Sequence, residues 1–385
     1  MTELQDQIAA DLRGWDAIED HRTGTDGDAA TSEWLTGLAR DAGATPQVQA
    51  FPFQRWVLGN CAVAVNGRGA DGVPLFDGGI TGPAGVEGTL ASLANGNAGI
   101  GIGSIGNAAP PGANERFARA RAAGNCAALV AVAAMDADVP GLALQNADRF
   151  VDPFGPPVLQ VASQEGNWLL DAAARGESAS VVVDVALEPA TASNVVVRVA
   201  GSDPSLAPVV VMTPKSAWWT CTAERGGGIV IWLALLRHFA ANPPRRPVVF
   251  TANTGHELGH TGLDHFLEES PALGKAAHLW IHLGANFVAK NSERRLQTSD
   301  AGLQALAERS MAAHDVSPQS IRAPGHRPFG EARNIYDAGG RYLSWLGSNR
   351  WFHHPTDRWP HTIDLDAANR MTEAMLEIAS AIAND

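Results

Sequence analysis

The run TGHELGHTGLDHF, residues 254–266, holds His256, Glu257 and His260 in the spacing H-E-x-x-H. On a helix that spacing turns two histidines toward one zinc ion and sets a glutamate beside them. The neighbouring residues argue against a helix. The motif follows VVFTAN, a β-branched run that reads as a strand, and then Thr254-Gly255. Gly259 lies inside the motif and Gly262 just after it, and each weakens a helix by about 1 kcal/mol relative to alanine. A third histidine, His265, falls one residue short of the position that the longer zinc motif needs. The zincin is therefore the minor reading, and its plain alternative is a pair of loop histidines.

Other residues invite chemistry nearby. Glu224 and Arg225 precede three glycines that are expected to open a helix, where backbone N–H groups and the dipole favour an anion. They pair with each other, or Arg225 binds a substrate carboxylate. Lys215 and Ser216 suggest a Ser-Lys nucleophile, but neighbours on a strand point opposite ways. Cys221 suggests a nucleophile with His256 as base, although a buried, inert cysteine is the commoner case. Trp218 and Trp219, with Trp345 and Trp351, form an apolar wall for substrate or pack a core.

The elements that must hold these residues follow from the pattern. The chain has 385 residues, 45% hydrophobic and 18% charged, enough for a large α/β domain and a smaller one. Its net charge of −13 argues against a nucleic-acid partner. Three scattered cysteines exclude a disulfide framework or cysteine zinc site. The first 20 residues lack the apolar core of a signal peptide and are expected to form a helix. No stretch reaches the length of a membrane span, and a cytoplasmic setting is expected.

A helix with Trp34, Leu35 and Leu38 on one face is expected to stop at Gly43, followed by a strand in TPQVQAFPFQRW. From 73 to 190 the texture becomes rich in Gly, Ala and Pro with short elements, and Ser163 is expected to cap a helix. Beyond 193 the strands lengthen: 207–212, 246–253 and 276–286, separated by helices. Apolar strands alternating with helices predict a three-layer α/β fold, its central mixed sheet mostly parallel with helices on both faces. Sites in such sheets lie at the carboxyl ends of the strands.

With these segments in hand, the chain resembles the zinc aminopeptidase family that includes bacterial aminopeptidases, glutamate carboxypeptidase-like proteins, glutaminyl cyclases and the transferrin receptor. The resemblance rests on five segments in order: HRTGTDGDAATSEWL, SNVVVRVAGSDPSLAPVVVMTP, FTANTGHELGHTGLDHFL, GHRPFGEA and WFHHPTD. It implies a zinc-exopeptidase-like domain from 1–72 and 191–385. The segment 73–190 resembles an inserted protease-associated (PA) domain.

The family holds two zinc ions, and the resemblance places its ligands here with departures. Pro214 or Lys215 stands for the first histidine, Glu224 for the bridging aspartate, and Gly284 for the second aspartate. Glu257 and His353 are kept, and His256 replaces the general-base glutamate. A histidine there titrates near neutrality and can take a proton from water or substrate. The resemblance thus implies either one zinc on Glu224, Glu257 and His353, or no metal. The implied catalytic residues are His256, Glu257, Glu224 and Lys215. The substrate contacts are Arg225, Trp218, Trp219, Trp345 and His354, and Asp357 orients His353 or His354.

The expected function is a hydrolase acting on a small amide or peptide-like substrate through this degenerate site. A non-peptidase acid/base enzyme and a non-catalytic binding protein are the alternatives. The expected partner is a small molecule or short peptide, with no nucleic acid and no membrane; a homo-oligomer is compatible with the sequence.

Overall fold

The computed structural model describes residues 2–94 and 99–385. Two helices, α1 (Glu3–Asp16) and α2 (Asp26–Asp41), precede a 20-residue strand, β1 (Pro46–Val65). The chain then builds a smaller lobe from β2 (Arg68–Pro74), β3 (Gly82–Ser92), β4 (Ile100–Ile105), α3 (Ala113–Ala123), β5 (Ala128–Ala133), β6 (Val158–Val161) and α4 (Gly166–Ala174). The 22-residue strand β7 (Ser178–Val199) runs back along β1.

The larger lobe follows with β8 (Val209–Pro214), α5 (Thr222–Ala241), β9 (Val248–Asn253), α6 (Thr261–Glu269), α7 (Leu273–Ala276) and β10 (Leu279–Leu283). It ends with β11 (Arg295–Thr298), α8 (Ala301–Ala313), β12 (Ser320–Ile321), α9 (Ala332–Asp337), β13 (Tyr342–Leu346) and α10 (Leu365–Ala383).

In the larger lobe the strand order is β7-β9-β8-β10-β13-β11-β12. Strands β9, β8, β10 and β13 are parallel, while β7 and β11 run antiparallel to their inner neighbours. The expected mixed sheet is therefore present. Side chains of β8 alternate between its faces: Val209 and Val211 enter one core with α5 and α10, and Val210 and Met212 enter another with α6 and α9. Fully burying each such side chain stabilises the fold by about 1.5–3 kcal/mol. Both faces are covered, which is why these strands read as mostly apolar runs.

The smaller lobe has its own cores, built around Val63, Val130, Leu159 and Val181 and around Leu75, Phe117 and Leu129. The expected boundaries near 72 and 190 fall within β2 and within β7, whereas the lobes are joined by the two continuous strands β1 and β7. Ser163 does not cap α4. It sits in a 3-10 turn before the helix, and its hydroxyl accepts from the Gly141 N–H instead.

Helix α5 also departs from expectation. It starts at Thr222, so Gly226, Gly227 and Gly228 lie in its interior rather than opening it. The cause is packing. A Cβ on Gly228 would lie 2.8 Å from the Leu283 carbonyl oxygen, and one on Gly227 2.8 Å from Val288. The glycines let the helix press against β10 and the turn after it, which offsets their poor helix propensity. Residues Thr222 to Leu236 of α5 are all buried, as expected for a helix enclosed on every side.

Candidate active site around Arg225

Three parallel strands end together. Beyond β8 come Lys215 and Ser216, beyond β9 the His256–Leu258 turn, and beyond β10 Gly284. The H-E-x-x-H run is not helical. His256–Leu258 is a single 3-10 turn between Gly255 at φ 73° and Gly259 at φ 75°, and His260 has φ 66°. The left-handed conformations at both glycines stop a helix from passing through the motif. The His256 and His260 rings stack with centroids 4.9 Å apart. His265 lies on α6, within 3.4 Å of Glu269.

At the centre is a cation supplied by the chain itself. Arg225, fully buried in the first turn of α5, places Nη2 2.7 Å from Glu224 Oε1 and 2.5 Å from Glu257 Oε1. Its Nε donates to the Ser216 carbonyl at 2.8 Å. Ser216 Oγ donates to Glu257 Oε2 at 2.6 Å and accepts from the His256 N–H at 3.1 Å. Both Glu257 oxygens are thus engaged. His353 reaches the same cluster: Nε2 lies 3.3 Å from Glu224 Oε1, and Nδ1 2.6 Å from the Leu144 carbonyl. Burial alone would raise the Glu224 carboxyl, but Arg225 and His353 outweigh it and hold it at about 2.

Other implied residues fall into structural places. Lys215 is fully buried and paired with Asp28 of α2, whose Oδ1 also accepts from Thr254. Cys221 is buried with φ 45°, and burial pushes its thiol well above the usual range, which suits packing rather than attack. Asp357 does not orient His353 or His354. Its two oxygens accept from the Ala223 and Glu224 N–H groups at 2.8 and 3.0 Å, capping α5, and burial raises its carboxyl to about 7.

Trp345 is wholly buried in the main core on β13, not in the aromatic wall expected for substrate. Trp219 donates to the His353 carbonyl at 3.0 Å. His354 is buried against Gly141 of the smaller lobe and hydrogen-bonds Thr356 at 2.7 Å. Trp218 does line a cavity, described below.

Two partners escaped the sequence reading. Glu331, fully buried at the start of α9, lies 3.3 Å from His256 Nδ1. Burial, reinforced by Glu257 and Asp264 against the pull of Arg225, raises its carboxyl to about 8. Burial and then Arg225 push His256 well below the usual imidazole range. Burial likewise takes His260 to about 4 and His282 to about 3. The second partner is Asp28. Both acids sit in segments that carried the resemblance, GHRPFGEA and HRTGTDGDAATSEWL, and only the buried placement of an acid there distinguishes them.

A cavity of about 300 Å³ adjoins the cluster. Glu257, Ala217 and Leu258 form its inner end, and Phe53, Trp56, Phe76, Phe150 and Trp218 its aromatic wall. Phe53 stacks on Phe150 at 5.3 Å and Phe76 on Trp218 at 5.0 Å.

The implied zinc set, Glu224, Glu257 and His353, does not fit a dication. Both carboxylates already flank a guanidinium with nowhere to retreat. A dication 4 Å from that charge would meet repulsion on the order of 8 kcal/mol at an effective dielectric of about 20. Gly284 offers no side chain, and a Cβ there would already lie 2.8 Å from His282 and from the Trp345 carbonyl. Among the described residues no group of three or more His, Cys, Asp or Glu is arranged to hold a metal ion. Among them, too, no helix is long and apolar enough to cross a membrane.

Known proteins share this architecture. Residues 223–379 match the model of peptidase family M28. The zinc aminopeptidase BSAP of Bacillus subtilis superposes with a TM-score of 0.78 at 15% identity, covering 99% of this chain and 95% of that one. A peptidase M28 precursor from Shewanella amazonensis gives 0.76 at 15% identity over 100% and 96%. A vacuolar membrane protease of Lachancea thermotolerans is 36% identical over 159 residues, 40% of this chain. That match spans only 14% of the yeast protein's length. Residues 223–379 are thus similar to peptidase family M28, and the chain as a whole takes the fold of the zinc aminopeptidases.

Proposed function

We propose that this chain is a metal-independent M28 protein that receives a small amide or peptide-like ligand in the cavity beside Glu257. One observation carries the reading: the Arg225 guanidinium lodged between Glu224 and Glu257. It supplies fixed positive charge where the fold's relatives named as zinc aminopeptidases imply metal. Wholly buried and outside the cavity lining, it does not touch a ligand; it fixes Glu257 at the cavity's inner end, the one acid placed to act on an amide there. The cavity volume, about 300 Å³, suits one amino-acid-sized body.

A second reading, binding without turnover, is supported by the state of the acids. Glu257 has both oxygens engaged, and neither His256, beside Glu331, nor Glu331 itself lines the cavity. Incubation of the purified chain with acyl-amino acids and dipeptides, with and without EDTA, separates the two. Hydrolysis that survives EDTA supports the first reading, and binding without product supports the second. Hydrolysis abolished by EDTA and restored by stoichiometric zinc would overturn both.

A further inference from the structure

The cavity carries charge of one sign at its accessible end. Arg22 and Arg55 both line it, while its single acid, Glu257, is 2% exposed and held by Arg225 and Ser216. The two arginines are not equivalent. Arg22 is forked onto Asp20, with Nε–Oδ1 and Nη2–Oδ2 both 3.0 Å, so its charge is largely spoken for. Arg55 lies on β1 opposite Glu188 of β7, and the pair meets only at 3.4 Å with side chains 36% and 52% exposed. An ion pair so long and so wet leaves the guanidinium free to turn to a better partner.

The same cavity is lined by the five rings of the wall, a surface for a flat apolar body. Phe53, Trp56 and Phe150 also face a second groove, and the acids Asp264 and Glu268 line that groove rather than this cavity.

We infer that the cavity selects an aromatic or bulky apolar ligand bearing a carboxylate, with Arg55 as the residue that reads the charge and the ring wall as the residue set that reads the body. The inference rests on the cavity being the ligand site and goes beyond that reading by naming the ligand's charge. A planar fork of N–H donors matches a carboxylate in two hydrogen bonds, which neither a neutral amide nor an amine can reproduce. Arg225 cannot do this work, since it is wholly buried and does not line the cavity.

The test titrates the full chain with N-acetyl-phenylalanine, its neutral amide and the cationic phenylalaninamide, by calorimetry and by quenching of tryptophan emission. The carboxylate is expected to bind at least tenfold tighter than either other probe, with the advantage shrinking as salt rises. Arg55→Met should bring the ratio of carboxylate to amide affinity near one, and Glu188→Gln, which frees Arg55, should raise it. Arg175→Met, at an exposed arginine of the smaller lobe, should leave the ratio as in wild type. Equal binding of all three probes, or preference for the amine, overturns the charge selection while leaving the cavity as the ligand site. No binding of any probe at millimolar concentration overturns both.

Discussion

The Arg225 guanidinium lies 2.5 Å from Glu257 Oε1, with neither side chain more than 3% exposed. A buried pair of this kind contributes little net stability as a pair, yet removing one member leaves the other charged and dry. Arg225→Met should therefore lower stability by about 3–5 kcal/mol. Arg225→Lys should recover only part, because a point charge cannot bridge Glu224, Glu257 and the Ser216 carbonyl as the planar fork does. Urea denaturation of the three proteins checks this. A loss under 1 kcal/mol in the methionine variant would mean the site relaxes freely.

Removal of the guanidinium also uncovers a donor set. Arg225→Ala leaves Glu224, Glu257 and His353 facing a vacated volume, an adequate ligand group for zinc. Calorimetric titration should show zinc binding by the variant and none by the wild type, whose melting temperature should be the same with and without EDTA. Stoichiometric zinc in the purified wild type would contradict the account of this site.

The Lys215–Asp28 pair predicts a reversal. Each single replacement, Lys215→Met or Asp28→Asn, leaves an unpaired buried group and should cost about 3–5 kcal/mol. The double replacement should cost clearly less than the sum, a coupling that a double-mutant cycle measures. Additive losses would show that the two side chains do not interact as the geometry requires.

Stability should depend on pH through Glu331 with a definite sign. Its carboxyl is raised from an ordinary 4.5 to about 8 in the folded chain, facing Arg225, Glu257, Asp264 and Asn253 beside His256. Between those values the unfolded chain gives up the proton first, so this group's contribution is complete below 4.5 and is lost as pH rises through 8. Glu331→Gln removes that dependence. The stability of the variant relative to wild type should rise between pH 5 and pH 8. A difference that stays flat across this range would rule out a protonated Glu331.

Gly228→Ala should destabilise by about 1–3 kcal/mol, as overpacking does. The added methyl group meets the Leu283 carbonyl oxygen and Thr213, and α5 cannot move away from β10 without disturbing its other buried faces. Thermal melting checks it, and an unchanged melting temperature would show slack at this contact.

The layered sheet was legible because β8, β9 and β10 are short, mostly apolar and without the polar alternation of a half-exposed strand, a pattern that a doubly covered sheet rewards. The grouping of Glu224, Glu257 and His353 was legible only through the resemblance of the segments that carry them to a known family. What Arg225 does was not. A sequence shows that an arginine follows a glutamate, but whether its fork turns outward or inward depends on tertiary packing around α5. Glu331 and Asp28 were hidden for the same reason, since nothing local separates a buried acid from an exposed one. The glycines of α5 misled in the other direction: local propensity marks a helix start, whereas close approach to β10 places them inside.

Strands β1 and β7 pair from Pro46↔Val197 to Val65↔Ala179, interrupted only by an irregularity between Leu58 and Cys61. That ribbon is at once the connection between the lobes and, through Phe53, Arg55 and Trp56, a wall of the cavity. A joint made of paired backbone does not swing like a linker. The smaller lobe is better pictured as a fixed jaw than as a lid, with access to the cavity governed by side-chain motion at its rim. Any torque that did bend the ribbon would be felt at once as a change in the shape of the cavity.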